Sequence, residues 1–153
     1  MNVLVLCTGN SARSVLGEVL LRELAGAAAF SAGSRPTGRV NPEAVAVLER
    51  HGHDASGVAS KSWDAFEDGP EMDVVVTVCD SAAAEECPWW PGAPVRVHWG
   101  IPDPAGAEDE PAAFEAAYRR MRARVEAFAA LDLASMDAAG RQSALALIGE
   151  MPL

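Results

Sequence analysis

The feature that most constrains this chain is the junction near its start. An apolar, strand-like run over residues 2–6 enters the octapeptide Cys7-Thr8-Gly9-Asn10-Ser11-Ala12-Arg13-Ser14, and a helix-forming stretch over residues 14–24 follows directly. A short loop between a strand and a helix turns successive backbone N–H groups inward, and the helix N-terminus adds its positive dipole. Such a nest binds a tetrahedral oxyanion, with Thr8, Gly9, Asn10, Ser11, Ala12, Arg13 and Ser14 forming the cradle. The same field is expected to lower the pKa of Cys7 and make it a nucleophile near neutral pH. The planar fork of Arg13 suits two equatorial oxygens, and Ser14 is placed to donate to the sulfur.

The rest of the chain continues the alternation that this junction begins. Residues 3–7, 28–32, 73–78 and 95–99 read as strands, and residues 14–24, 42–51 and 111–131 as helices. Phe114, Tyr118, Met121, Val125 and Phe128 recur at intervals of four and three, on one face opposite Arg119, Arg120 and Arg122. Strands alternating with helices predict a three-layer α/β/α fold around a four-stranded parallel sheet, with the Cys7 loop at the carboxyl edge where open α/β sheets bind ligands. Residues 1–131 are expected to form this domain. Residues 132–153 read as an extension with a short helix, which Ser135-Met136-Asp137 would cap.

At 153 residues the chain suits one domain, and its net charge of −10 argues against nucleic acid or an anionic membrane as a partner. Attraction of an anion must then be local, from loop amides and Arg13. The first apolar run is too short for a signal peptide or a membrane span, so a cytoplasmic location is expected. In a reducing compartment the three cysteines, Cys7, Cys79 and Cys87, read as catalytic or redox-active rather than structural. Cys79 ends the third predicted strand, on the same edge as Cys7. The segment from Cys79 to Cys87 is short-chained and polar, suited to reshaping when a disulfide forms. A zinc half-site lacks a second ligand pair, and His51 and His53 read as solvated loop histidines.

Together these residues resemble the thioredoxin-coupled arsenate reductases of the low-molecular-weight protein tyrosine phosphatase superfamily. The resemblance rests on the octapeptide, Ser31-Ala32-Gly33, Val40-Asn41-Pro42, Val75 to Cys79, Cys87-Pro88 and His98 to Gly106. It implies that Cys7 attacks arsenate, that Asp103 protonates the departing oxygen, and that Cys79 and then Cys87 pass on the oxidation as disulfides reduced by thioredoxin, with no bound redox cofactor. It also implies arsenical detoxification. The phosphatase relatives are the alternative; they would use Cys7, Arg13 and Asp103 to hydrolyse a phosphate ester, but lack the second and third cysteines. Some family members bind potassium through an asparagine, a glutamate, a serine and an aspartate. Asn10, Glu18 and Ser31 match the first three, whereas Lys61 aligns with the fourth, which leaves two readings: a lysine ammonium paired with Glu18 in place of the potassium ion, or an ordinary surface lysine. His98 is expected to make a structural hydrogen bond, and Trp89, Trp90 and Trp99 to wall the site or pack in the core.

Overall fold

The computed structural model describes residues 1–84, 90, 92 and 94–152. Its strands are β1 (Asn2–Leu6), β2 (Ala28–Ala32), β3 (Val74–Thr77) and β4 (Val95–His98), and its α-helices are α1 (Arg13–Ala25), α2 (Pro42–Arg50), α3 (Asp80–Ala84), α4 (Glu110–Ala129) and α5 (Ala138–Gly149). The strands pair in parallel in the order β2-β1-β3-β4, with Val5 opposite Ser31 on one side and Val76 on the other. Parallel neighbours need crossovers, and the helical segments supply them. Because β1 and β3 are central, the chain must step outward in opposite directions from their carboxyl ends, and the loop after β1 sits at that switch point.

Alternation along the strands separates two cores. Val3, Val5, Val74 and Val76 face a cluster that includes Leu16 and Leu20 of α1, Val47 and Leu48 of α2, and the predicted stripe of α4. Phe114, Tyr118, Met121, Val125 and Phe128 are all buried, at about 1.5–3 kcal/mol for each such side chain. On the opposite face, Leu4, Leu6 and Val75 pack with Phe66, Met72 and Trp90, and Trp63 meets Trp90 edge-on at 6.2 Å. The four-stranded parallel sheet between these layers is the predicted architecture.

Core packing of Trp90 and Trp99 and a structural hydrogen bond at His98 are as expected, and the reading of His51 and His53 needs correction. Trp99 is fully buried and donates its indole N–H to Leu145 O of α5 at 3.0 Å, so it belongs to the core and not to a site wall. Trp90 is core as well; Trp89 lies outside the described residues. His51 and His53 are not free loop side chains. His51 stacks on Tyr118 at 4.0 Å and meets Glu115 at 2.7 Å, while His53 lies 2.6 Å from the Tyr118 hydroxyl, so the pair fastens the end of α2 to α4. His98 makes hydrogen bonds with Thr77 (2.8 Å) and Asp80 (3.1 Å), which tie β4 to the start of α3.

Candidate active site

The cradle's geometry follows from where its carbonyls go. Thr8 O accepts from Arg35 N (3.0 Å), Gly9 O from Thr37 N (3.1 Å) and Ser60 Oγ (3.1 Å), and Ser11 O from Asn41 N (2.8 Å). A trans peptide points its N–H opposite to its C=O. With these three carbonyls drawn outward to the surrounding segments, the amides of Gly9, Asn10 and Ala12 are turned towards the cavity.

The first turn of α1 completes the donor set. Helices α2, α4 and α5 each begin with a side chain, Asn41, Asp109 or Asp137, that accepts a backbone N–H of the first turn. Ala12 at the N-cap of α1 provides no such acceptor, and no acidic residue occupies the first turn. The orphan donors and positive end of this helix are therefore left for an anion.

Backbone constraints keep the loop in this shape. Asn10 has φ 45°, the one positive φ outside glycine among the described residues. Asparagine tolerates this region better than most side chains, and its amide is fully used. Asn10 Nδ2 donates to Ser14 Oγ and Ser31 Oγ, both at 2.9 Å, and Asn10 Oδ1 accepts from Lys61 N at 2.9 Å. Ser31 Oγ in turn donates to Glu18 Oε1 at 2.7 Å. Ser14 thus accepts from Asn10, which leaves its O–H available for the donation to the sulfur expected from the sequence. Gly33 passes so close beneath the loop that a Cβ there would lie 2.4 Å from Thr8 O and 2.7 Å from Cys7 O.

Cys7 and Cys79 meet at the cavity floor, both buried and unpaired by any disulfide. Their hydrogen bond decides the protonation pattern. Cys7 is pushed up, first by donating to Cys79 and then by burial, against the pull of Arg13 and the Gly9 N–H. Cys79 is lowered to about 5, chiefly by accepting from Cys7, with help from Thr8 and the Ala82 N–H. Thr8 Oγ1 lies 3.6 Å from Cys79 Sγ, and Ala82 N donates to it at 3.4 Å. For the unliganded site the direction at Cys7 is therefore upward, opposite to the expected depression, and the downward direction falls on Cys79. The sequence placed Cys79 on the same sheet edge as Cys7; the hydrogen bond between the two thiols is what it did not show.

Arg13 and Asp103 both line a cavity of about 750 Å³ and pair with each other there. Arg13 Nη1 donates to Ile101 O at 2.9 Å, its Nη2 lies 3.6 Å from Asp103 Oδ2, and its buried Nε has no partner among the described residues. Asp103 Oδ1 accepts from Ala105 N at 3.0 Å. The aspartate is thus a turn residue and a cavity residue at once. Thr37, Ile101, Pro102 and Ala105 line the opening, and no aromatic side chain lines it among the described residues. Cys87, which sequence reasoning assigned to the site, lies outside the described residues. The described residues hold no cluster of three metal-ligating side chains and no helix long and apolar enough to cross a membrane.

Asn10, Glu18, Ser31 and Lys61 do come together, beneath the loop. The bracing residues Arg35, Thr37 and Ser60 were not singled out from sequence. Arg35 and Thr37 act through backbone amides, which leave no side-chain signature.

Comparison with known proteins places these features in context. The model of the low molecular weight phosphotyrosine protein phosphatase family matches residues 2–141. Arsenate reductase of Halalkalibacterium halodurans is 41% identical over 119 residues, covering 76% of this chain and 84% of that protein. Arsenate reductase of Bacillus subtilis is 38% identical over 122 residues, with the same two coverages of 76% and 84%. Among solved structures, an arsenate reductase in an oxidized state superposes with a TM-score of 0.71 at 28% identity, covering 84% of this chain and 96% of its own. The thioredoxin-dependent arsenate reductase of Corynebacterium glutamicum gives 0.57 at 25% identity, covering 79% of this chain and 58% of its own. The tyrosine phosphatase Wzb of Escherichia coli K30, in complex with sulphate, gives 0.67 at 27% identity, covering 84% and 95%.

Proposed function

Because this chain belongs to the low molecular weight phosphotyrosine protein phosphatase family, and relatives 41% and 38% identical to it are arsenate reductases, we propose that it reduces arsenate to arsenite through a thiol relay recharged by thioredoxin. The observation that carries this reading is the contact between Cys7 and Cys79 at the floor of an oxyanion cradle. Ester hydrolysis needs one thiolate, whereas a two-electron reduction needs two thiols within reach of each other.

Arsenate enters the cradle against the inward amides, with the unpartnered Nε of Arg13 available to one of its oxygens. Proton transfer across the Cys7–Cys79 hydrogen bond turns Cys7 into the thiolate, facing the Gly9 N–H and the Arg13 charge. Cys7 Sγ bonds to arsenic as one oxygen departs as water, protonated by Asp103. Cys79 passes its proton to an oxygen on the bound arsenic and, as the thiolate, attacks Cys7 Sγ. The S–S bond forms, the S–As bond breaks, and its electron pair stays on arsenic, which leaves as arsenite. Two thiols have lost two electrons, and As(V) has gained them. Cys87 then attacks Cys79, freeing Cys7 and moving the disulfide to Cys79 and Cys87, where thioredoxin reduces it. No resident redox group is needed, and the reaction suits a reducing cytoplasm.

The lining of the opening favours this over phosphotyrosine hydrolysis: among the described residues Thr37, Pro102 and Ala105 line it, and none is an aromatic side chain that could embrace an aryl ester. The test is a single turnover by a Cys87→Ser variant given arsenate without thioredoxin. The expected result is one arsenite per chain, with a Cys7–Cys79 disulfide seen by peptide mass spectrometry. Arsenate left unreduced, together with steady Cys7-dependent hydrolysis of an aryl phosphate, would replace this reading with the phosphatase.

A further inference from the structure

Glu18 is a buried carboxylate directly under the anion cradle, where an uncompensated negative charge would oppose the function of the loop. Two cations flank it. Arg22 Nη1 approaches Glu18 Oε2 at 3.7 Å from the next turn of α1, and Lys61 Nζ approaches Oε1 at 3.7 Å from the loop side. Arg22 is shared with Asp54 O at 3.1 Å. Lys61 is the sole lysine in the sequence, and it stands where the resemblance called for a potassium ligand.

The donor set does not fit a bound monovalent cation. Asn10 Oδ1 is taken by Lys61 N at 2.9 Å, and Ser31 Oγ accepts from Asn10 while donating to Glu18. Those oxygens are committed to hydrogen, and both carboxylate oxygens already face cations, Oε1 the Lys61 ammonium and Oε2 the Arg22 guanidinium. A further positive ion would have to displace Lys61 and undo the Asn10 bond that holds the left-handed residue of the loop.

We infer that Lys61 is a built-in replacement for the monovalent cation, a positioning residue whose ammonium neutralises Glu18 while its backbone N–H fixes Asn10. The chain is consequently indifferent to potassium, and its affinity for oxyanions depends on an internal charge. This inference rests on the anion cradle and not on arsenate reduction, because anion binding can be read without turnover.

The test measures inorganic phosphate binding by calorimetry, and the thermal midpoint, in potassium chloride and in sodium chloride at equal ionic strength. The wild type is expected to give the same values in both salts. Lys61→Met is expected to bind phosphate about threefold to fivefold more weakly in sodium, the range of a partly exposed ion pair, and to recover selectively in potassium, because the vacated position opposite Glu18 becomes an ion site. Lys61→Arg should retain wild-type affinity in both salts. A wild type that binds phosphate more tightly in potassium overturns the inference even if the variants fail to fold. So does a Lys61→Met variant with wild-type affinity, and so does a loss that potassium leaves unrepaired, which would mark an ordinary structural contact.

Discussion

Replacing Ser31 by alanine removes one hydroxyl from the support beneath the catalytic loop, and the consequence can be worked from two distances. Ser31 Oγ accepts from Asn10 Nδ2 at 2.9 Å and donates to Glu18 Oε1 at 2.7 Å, and the side chain is fully buried. The variant leaves one Asn10 N–H without an acceptor at a residue with no exposure, and takes from Glu18 its shortest hydrogen bond. Each orphaned buried group costs about 1–3 kcal/mol, more when charged, so Ser31→Ala should lose about 2–5 kcal/mol. Urea unfolding reads this as a lower midpoint with an unchanged slope. The loss is not confined to stability. Asn10 is held at φ 45° by the bonds its amide makes, so a loosened amide releases the loop. Phosphate affinity should fall at least tenfold, equivalent to about 1.4 kcal/mol. A variant within about 0.5 kcal/mol of wild type, the ordinary range of substitutions away from any key contact, with unaltered phosphate affinity, would refute the claim that this polar chain holds the cradle.

The other predictions concern the thiols, the acid and the floor of the loop. Wild-type thiolate absorbance should show a step near pH 5, from Cys79, while Cys7 remains a thiol at neutral pH; Cys79→Ser should abolish that step and lower the Cys7 pKa, because its main upward push is gone. Faster alkylation of Cys7 in that variant at neutral pH, read by peptide mass spectrometry, is the expected sign, and slower alkylation would contradict it. Asp103→Asn should reduce kcat by about 10²–10⁴-fold without weakening phosphate binding, since it releases Arg13 from its 3.6 Å partner; an unchanged kcat would leave Asp103 only its turn. Gly33→Ala must push a Cβ to within 2.4 Å of Thr8 O or move the loop, so phosphate binding should be lost by calorimetry, and full retention would contradict the close packing.

Much of this was legible because local sequence and tertiary demand agree. Val74 to Thr77 is a β-branched run that suits a strand buried between two neighbours, and the structure makes it β3. The stripe from Phe114 to Phe128 declares the buried face of α4, and Asp109 and Asn41 announce helix starts through their side chains. The cysteine loop was legible for the opposite reason: Gly9, Asn10 and Arg13 make little sense as a strand ending or as core, and they fit an anion. What escaped depends on contacts distant in sequence. The protonation of Cys7 is governed by Cys79, seventy-two positions away. His51 and His53 lie in a glycine turn that looks solvated until Tyr118 and Glu115 arrive from α4. Trp99 could not be assigned to core or site without α5, whose Leu145 carbonyl receives its N–H. Arg124 sits on α4 with only 2% exposure and lacks partners for Nε and Nη1 among the described residues; nothing in the helical pattern foretold its burial.

The most direct measurement of the central claim is arsenate-dependent NADPH oxidation with thioredoxin and thioredoxin reductase, run on the wild type and on Cys7→Ser, Cys79→Ser and Cys87→Ser. The account predicts steady turnover by the wild type and none by any of the three variants, with arsenite appearing in proportion to NADPH consumed. Turnover that survives loss of Cys79, or a wild type that hydrolyses aryl phosphate but oxidises no NADPH, would contradict it.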